Sequence, residues 1–207
     1  MPEQVELSRG AVAVIDTAGR ACQAGVFVDG APRAALRVEM VHGQAEALIP
    51  LLQQALAEAG VAFADLAAVV ATVGPGSFTG LRVGLAAAQG LGLAADCPVV
   101  GVSSPAAWAM TLGGPLRVIL DTRRGDAFVQ DFSADGLPLA EAAVMPLAEA
   151  RAAPEGLRLG GDIGGDAAPS LSGVFAAAGV AAHRRPPLPA YLRAADAVPL
   201  ATPPRCT

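Results

Sequence analysis

The sequence predicts an α/β fold with two related lobes, and the order of its elements together with an internal repeat are the observations that predict it. Three short apolar runs of strand character come first. A helix, a strand, a second helix, a further strand and a third helix follow them. This βββ-α-β-α-β-α order is that of ribonuclease H-like domains, which occur singly in nucleases and in duplicate in actin-like ATPases and sugar kinases. We expect the duplicated, actin-like arrangement, with a reduced second lobe.

The first three strands are predicted to form an antiparallel meander. The pair Asp29-Gly30 lies between the second and third apolar runs and is a typical hairpin turn signal. The first run ends in Asp16, a polar residue at the end of a buried strand. The expected strands cover residues 11–15, 21–28 and 32–40.

Helical periodicity follows the meander. Leucines and alanines recur at helical spacing until Gly60, and Pro50 should either bend this first helix or define its first turn. The sequence Ser103-Ser104-Pro105 is a typical helix start and introduces the third helix. The remaining predictions are helices over 44–59 and 79–95 and strands over 66–73 and 98–102.

A short repeat supports the duplication. Asp16-Thr17 ends the first strand, and Asp121-Thr122 ends a later apolar strand that is also followed by a turn and an apolar run. The glycines at 113 and 114 mark a boundary. We expect an N-terminal ribonuclease H-like lobe over residues 1–113 and a smaller C-terminal lobe over residues 114–207. The latter should contain a strand at 157–159, a helix near 170–178 and a short element at 191–197.

The composition excludes several classes of function. The net charge is −5 and the 14 basic residues are all arginine, so unaided binding to RNA is disfavoured. The three cysteines are far apart and form no CxxC pair, which indicates a reduced cytosolic protein without a disulfide framework or zinc site. We expect no signal peptide, because the first six residues contain two acidic side chains and no apolar run, and the longest apolar helical run is too short to span a bilayer. We therefore expect a cytoplasmic protein without membrane contact.

The glycine-rich turn from Gly74 to Gly80 looks like a phosphate cradle that lacks its cation. A P-loop places a lysine directly after its last glycine to reach the β and γ phosphates, and a serine or threonine next for Mg²⁺. Leu81 and Arg82 occupy these places. Ordinary nucleotide hydrolysis at this turn is therefore not expected.

The turns after the two Asp-Thr pairs are further candidates for nucleotide contact. In actin-like ATPases such turns hold phosphates through backbone N–H groups, and glycine allows close approach. The turn after Asp16 and Thr17 is a weakened version, and two arginines make the turn after Asp121 bulky. We interpret these residues as vestigial phosphate turns; the alternative is that each aspartate only anchors its own turn. Residual nucleotide binding stays open, and no cofactor is predicted.

A metal site is not predicted either. His42 and Glu46 share a helix face, but two ligands rarely make a site. His183 lies in the other lobe. A two-metal nuclease would need an acid at the end of the fourth strand in addition to Asp16 and Glu46, and residues 71–74 supply none.

The helix after the glycine turn carries two rows of small residues. Each interior glycine costs about 1 kcal/mol in helix propensity relative to alanine, so packing must hold this helix. Either it packs only against the chain's own sheet and first helix, or one row also helps to contact a helix of a second protein. One row comprises Gly80, Gly84, Ala88 and Gly92, and the other comprises Ala86, Gly90 and Ala94.

Together these residues carry a family signature. The segment from Gly74 to Leu91 is highly specific, and with the other motifs the chain resembles the bacterial TsaB (YeaZ) family over nearly its whole length. The other matching motifs are Ile15-Asp16-Thr17, His42 ahead of Leu48-Ile49-Pro50-Leu51, Gly101-Val102-Ser103-Ser104, Asp121-Thr122-Arg123-Arg124-Gly125-Asp126 and Pro189-Ala190-Tyr191-Leu192-Arg193.

The resemblance implies a noncatalytic subunit of the complex that forms N6-threonylcarbamoyladenosine in tRNA. It implies a heterodimer with a TsaD-type catalytic subunit through a helical bundle, a TsaE-type ATPase docked on that pair, tRNA contact only within the complex, and a homodimer when the protein is alone. The transferase paralogues carry an HxxxH metal motif, whereas this chain has His42 and Glu46 at that spacing. We therefore expect the scaffold rather than the transferase.

Mapped onto this chain, the bundle would use the helices over 44–59 and 79–95. Two alternatives are an independent actin-like-fold ATP-dependent kinase or ATPase, and a homodimeric structural module without a partner. Spacing does not fix which helix face points outward. The expected contact residues are Glu46, Ile49 and Gln53 on the first helix and Arg82, Leu85 and Gln89 on the second.

Overall fold

The structure, a computed structural model, describes residues 6–166 and 168–190, and its helices and strands form two β-sheets with helices packed against them. The strands are β1 Ala11–Asp16, β2 Ala21–Val28, β3 Ala31–Glu39, β4 Leu66–Gly74, β5 Val99–Ser103, β6 Leu116–Asp121, β7 Asp126–Phe132, β8 Ala143–Pro146, β9 Arg158–Gly161 and β10 Arg184–Arg185. The helices are α1 Gln44–Ala59, α2 Phe78–Ala94, α3 Ser104–Leu112, α4 Leu147–Ala150 and α5 Leu171–Gly179.

The first sheet contains the predicted meander. Its strand order is β10-β5-β4-β1-β2-β3, with β1, β2 and β3 antiparallel and β4 and β5 parallel to β1. Asp29 and Gly30 form the turn between β2 and β3, with φ values of 50° and 79°. Positive φ at both central residues suits a tight hairpin turn. The predicted order of elements is therefore confirmed for this half of the chain.

The second sheet repeats the first in reduced form. Its order β8-β7-β6-β9 matches β3-β2-β1-β4, and β9 is again parallel to the central strand. In the described ranges this sheet has no counterpart of β5, and β10 instead pairs with β5 at the edge of the first sheet. The fold is thus the predicted duplicated ribonuclease H-like, actin-like fold with a reduced second lobe.

The C-terminal half contains both predicted and unpredicted elements. The strand expected at 157–159 is β9, and the helix expected near 170–178 is α5. β8 and the short helix α4 were not among the predicted elements. The element expected at 191–197 lies outside the described residues.

Two buried cores lie on opposite faces of the first sheet. On one face, α1 and α2 pack on the sheet through side chains that include Leu48, Leu52 and Leu85. On the other face, α3 and α5 lie between the two sheets, and Trp108 and Val174 belong to a cluster that also contains residues of β6 and β7. The two sheets are therefore joined through a shared core.

The helices begin and end at the local signals that the sequence offers. The Ser77 hydroxyl accepts a hydrogen bond from the Gly80 N–H at the start of α2, and Ser103 caps α3 in the same way. Gly60 ends α1 with a φ of 66°. Pro50 lies inside α1 rather than in its first turn. Across the described ranges, the helices are too short or too polar to cross a membrane.

Candidate functional site

Asp16 lies at the carboxyl end of β1 and is completely buried. Its Oδ1 accepts hydrogen bonds from the Thr72 hydroxyl at 2.6 Å and from the Ala18 N–H at 3.1 Å. Its Oδ2 accepts a hydrogen bond from the Gln23 amide at 3.0 Å. Burial raises the pKa of the Asp16 carboxyl, and these three hydrogen bonds oppose the rise because they stabilise the charged form. A metal ion or nucleotide would have to displace these donors to reach the carboxylate.

The glycine-rich turn packs directly on the turn between β1 and β2. A Cβ atom at Gly76 would overlap the Ala18 carbonyl oxygen, and one at Gly80 would overlap the Thr17 carbonyl oxygen. The Thr17 hydroxyl donates to the Gly80 carbonyl at 2.7 Å. The Ser77 N–H donates to the Ala18 carbonyl, also at 2.7 Å. The space next to these glycines is therefore filled by the chain's own backbone.

The turn after β6 is held by acidic side chains. Asp162, which directly follows β9, accepts a hydrogen bond from the Asp121 N–H at 2.9 Å, and burial raises the pKa of Asp162. Asp121 accepts from the Arg123 N–H at 2.7 Å and pairs with the guanidinium of that residue at 3.6 Å. The Thr122 hydroxyl donates to the Asp126 carboxylate. Asp121 thus takes part in anchoring its own turn.

The outer face of α1 presents three of the residues expected to bind a partner. Glu46, Ile49 and Gln53 are all exposed, and the apolar Ile49 is 43% exposed. Leu48 and Leu52 of the same helix are buried against the sheet. The helix therefore has a distinct outer side, and the role of its three exposed residues in binding stays a prediction.

On α2 the structure separates the expected contact residues. Arg82 and Gln89 are exposed, whereas Leu85 is only 3% exposed and belongs to the core beneath α1 and α2. The expectation that Leu85 is a contact residue is therefore wrong, because its side chain fills the space between helix and sheet. An arginine at this position would bury a charge and damage the fold rather than test pairing. Gln89 also donates to the Pro187 carbonyl at 2.7 Å, so it contacts the chain's own backbone.

The two rows of small residues on α2 have different surroundings. A Cβ atom at Gly84 would overlap the Thr17 hydroxyl, and one at Gly92 would overlap the Val99 side chain. A Cβ atom at Gly90 would meet nothing within 4 Å. One row therefore packs on the chain itself, while the other faces outward.

Two exposed apolar side chains extend this outward face, and they were not among the expected contact residues. Leu93 is 87% exposed, and Phe78 is 51% exposed with the Arg82 guanidinium 3.8 Å from the centroid of its ring. Helical spacing was the signal that could have found them, because Phe78, Arg82 and Leu93 recur at steps of four and eleven residues. The outer helical surface is hereafter Glu46, Ile49, Gln53, Phe78, Arg82, Gln89, Gly90 and Leu93.

The two histidines lie on different parts of the fold and differ in exposure. His42 and Glu46 are both exposed near the start of α1. His183 is buried, and its Nε2 has no hydrogen-bond partner. Among the residues that the structure describes, no group of three or more His, Cys, Asp and Glu side chains could hold a metal ion.

The chain is similar to proteins whose names refer to tRNA modification. A family model described as TsaD, tRNA N6-adenosine threonylcarbamoyltransferase, matches residues 40–157. The tRNA threonylcarbamoyladenosine biosynthesis protein TsaB of Escherichia coli is 33% identical over 129 residues, which are 60% of this chain and 55% of that protein. An uncharacterized protein of Mycobacterium tuberculosis is 38% identical over 171 residues, which are 77% of this chain and 80% of that protein.

Solved structures show the same fold. YeaZ from Pseudomonas aeruginosa superposes with a TM-score of 0.73 at 24% identity, over 88% of this chain and 99% of that one. A second Pseudomonas aeruginosa structure, described as similar to the peptidase YEAZ, gives a TM-score of 0.75 at 23% identity, over 89% and 100%. The match to the Escherichia coli TsaB spans only about half of that protein's length, whereas the family model covers more than half of this chain. The chain belongs to the TsaB/YeaZ family, within the wider threonylcarbamoyltransferase family that the model describes.

Proposed function

We propose that this chain is a noncatalytic subunit that supports the formation of N6-threonylcarbamoyladenosine in tRNA by binding a TsaD-type catalytic subunit. The names of the relatives, which refer to biosynthesis of this nucleoside and to the transferase, support the pathway. Two structural features support the role within it. One is the turn between β1 and β2, called the closed turn because its polar groups are hydrogen-bonded within the chain. The other is the exposed outer helical surface.

The closed turn is the observation that carries the proposal. Actin-like ATPases hold phosphate groups at such turns through backbone N–H groups. Here the Ser77 N–H donates to the Ala18 carbonyl, and Asp16 is completely buried with three donors of the chain on its carboxylate. Because the polar groups of this turn already have hydrogen-bond partners within the chain, the turn supports a role other than nucleotide turnover.

The outer helical surface supports the choice of a protein partner. Ile49, Phe78 and Leu93 are exposed apolar side chains on adjacent helices, and the Arg82 guanidinium stacks on the Phe78 ring. Aromatic and arginine side chains are enriched where proteins bind each other. Gly90 leaves room for close approach of a partner backbone. We infer that a helical bundle with the TsaD-type subunit forms here, and that the same surface forms a homodimer when the chain is alone.

The proposal extends to the rest of the assembly. A TsaE-type ATPase docks on the pair, and the negative net charge of −5 favours tRNA contact only within the complex. The N-terminal lobe, over residues 1–113, carries the partner-binding helices, and the C-terminal lobe covers residues 114–207. The complex works in the cytoplasm.

Depletion of the protein in its own host tests the function. Nucleoside analysis of tRNA should show loss of N6-threonylcarbamoyladenosine, and a plasmid copy should restore it. A pull-down with the tagged chain should recover the TsaD-type protein. Rapid ATP hydrolysis or transfer of a carbamoyl group by the purified chain alone would refute the noncatalytic role.

A matched pair of variants tests the surface. The double variant Ile49→Glu, Leu93→Glu places charges on the outer helical surface and should weaken pairing by roughly tenfold or more, because apolar anchors carry much of the binding energy. Leu139→Glu is the control, since Leu139 is 60% exposed in the C-terminal half. Equal loss of pairing in both variants, or none in the double variant, would argue against this surface.

A further inference from the structure

One face of β2 meets residues 168–175, which come from the second half of the chain. Alternate residues of the strand point to this segment, which leads into α5 and forms its first turn. We call these contacts the seam. The contacting pairs are Ala21 with Ala168, Gln23 with Pro169, Gly25 with Leu171 and Phe27 with Phe175.

Gln23 is the polar member of the seam. It is only 2% exposed, and its side-chain amide donates to Asp16 Oδ2 at 3.0 Å and to the Pro169 carbonyl at 2.9 Å. A glutamine NH₂ group has two protons, so both are used. Asp16 is the last residue of β1 in the first sheet. Pro169 comes after the strands of the second sheet in the sequence, 146 positions beyond Gln23.

The two acceptors need a donor between them. A carboxylate oxygen carries negative charge, a carbonyl oxygen carries partial negative charge, and leaving either one buried without a donor is costly. The seam contains apolar or small side chains at its other three positions on β2, namely Ala21, Gly25 and Phe27, so these supply no donor. Gln23 is thus the seam side chain that satisfies both acceptors.

We propose that Gln23 is a clamp that holds residues 168–175, and with them the start of α5, against Asp16 and β2. The neighbouring contacts support this role, because the Phe27 and Phe175 rings stack with centroids 4.3 Å apart and an angle of 5° between their planes. The clamp acts within one molecule and is independent of any partner.

Hydrogen exchange of the purified full-length chain, read by mass spectrometry, tests the clamp. Gln23→Leu keeps a similar volume but removes both hydrogen bonds. Amide exchange in residues 168–175 should become about tenfold faster or more, because the segment opens locally when its buried carbonyl loses its donor. Exchange in β6 and β7 should stay as in the wild type.

Gln130→Leu is the matched control. Gln130 is also buried, at 5% exposure, and its amide donates to the Ala140 carbonyl at 2.9 Å within the C-terminal half. This variant should speed exchange near residue 140 but not in 168–175. If Gln23→Leu does not fold, Gln23→Asn, whose shorter amide reaches only one acceptor, replaces it with the same expectation. Exchange in 168–175 within twofold of the wild type, or an equal change in the control, would overturn the clamp.

Discussion

Two alanine substitutions on α2 test whether the space beside one glycine is filled by the chain and the space beside another is empty. Gly80→Ala and Gly90→Ala add the same methyl group to the same helix. At Gly90 the new Cβ meets nothing within 4 Å, whereas at Gly80 it overlaps the Thr17 carbonyl oxygen. The first change should therefore stabilise the isolated chain, and the second should destabilise it.

The magnitudes follow from opposing contributions. Gly90→Ala gains about 0.5–1 kcal/mol of helix propensity at an exposed interior position. Gly80 lies in the first turn of α2, where the gain is smaller, and overpacking against backbone costs about 1–3 kcal/mol. Moving the helix away would also weaken the hydrogen bond from the Thr17 hydroxyl to the Gly80 carbonyl, worth about 1 kcal/mol. The two variants should differ by about 3 kcal/mol in the free energy of unfolding.

Urea unfolding followed by circular dichroism measures this difference. For a chain of 207 residues it corresponds to roughly 6–12 °C between the two melting temperatures. The slope of the free energy against urea should be the same in both variants, because neither substitution changes the surface exposed on unfolding. A Gly80→Ala variant as stable as the wild type would refute the close packing of the glycine turn on the β1–β2 turn.

Three further predictions concern buried groups. Thr17→Val should cost about 1 kcal/mol in unfolding free energy by urea titration, because it removes the buried hydrogen bond from the Thr17 hydroxyl to the Gly80 carbonyl. Burial, with the charge of Arg185, lowers the pKa of His183, so the unfolded chain binds more protons than the folded one. The free energy of unfolding should therefore fall as the pH drops below about 6.5, and it should fall less in the variant His183→Leu. Burial raises the pKa of Cys22 to about 11, so mass spectrometry should find it unmodified after iodoacetamide treatment of the native chain at pH 8, and modified after unfolding.

Local signals were enough to predict most elements of the first half. Continuous apolar runs fixed β1, β2 and β4, and residues with strong turn or cap chemistry, such as Gly30, Gly60 and Ser103, fixed where elements meet. The same signals are weaker in the second half. Val144 of β8 is 39% exposed and the whole of that strand lacks a buried face, so no alternation marks it. A two-residue strand such as β10 has no local pattern at all, since only its pairing with β5 defines it.

The candidate site could also be predicted only in part from the sequence. Its loops could be located from the sequence, because Asp16, Thr17 and the glycine turn stand out by type and position. Their contacts could not, since Gln23 and Pro169 are 146 positions apart and only the packed fold brings them together. Helical spacing grouped Leu85 with Arg82 and Gln89, but which side of α2 is buried depends on the sheet beneath it.

A glycine-rich turn has the same composition whether it receives a phosphate group or a peptide group, and the atoms opposite its N–H groups decide between the two. A phosphate oxygen and a carbonyl oxygen both accept from a backbone N–H. Here the Ala18 carbonyl accepts from Ser77, and the Thr17 carbonyl lies where a Cβ at Gly80 would be. These oxygens would repel an incoming phosphate as well as obstruct it. The glycines are therefore required for packing between two turns, and nucleotide binding is not needed to explain them.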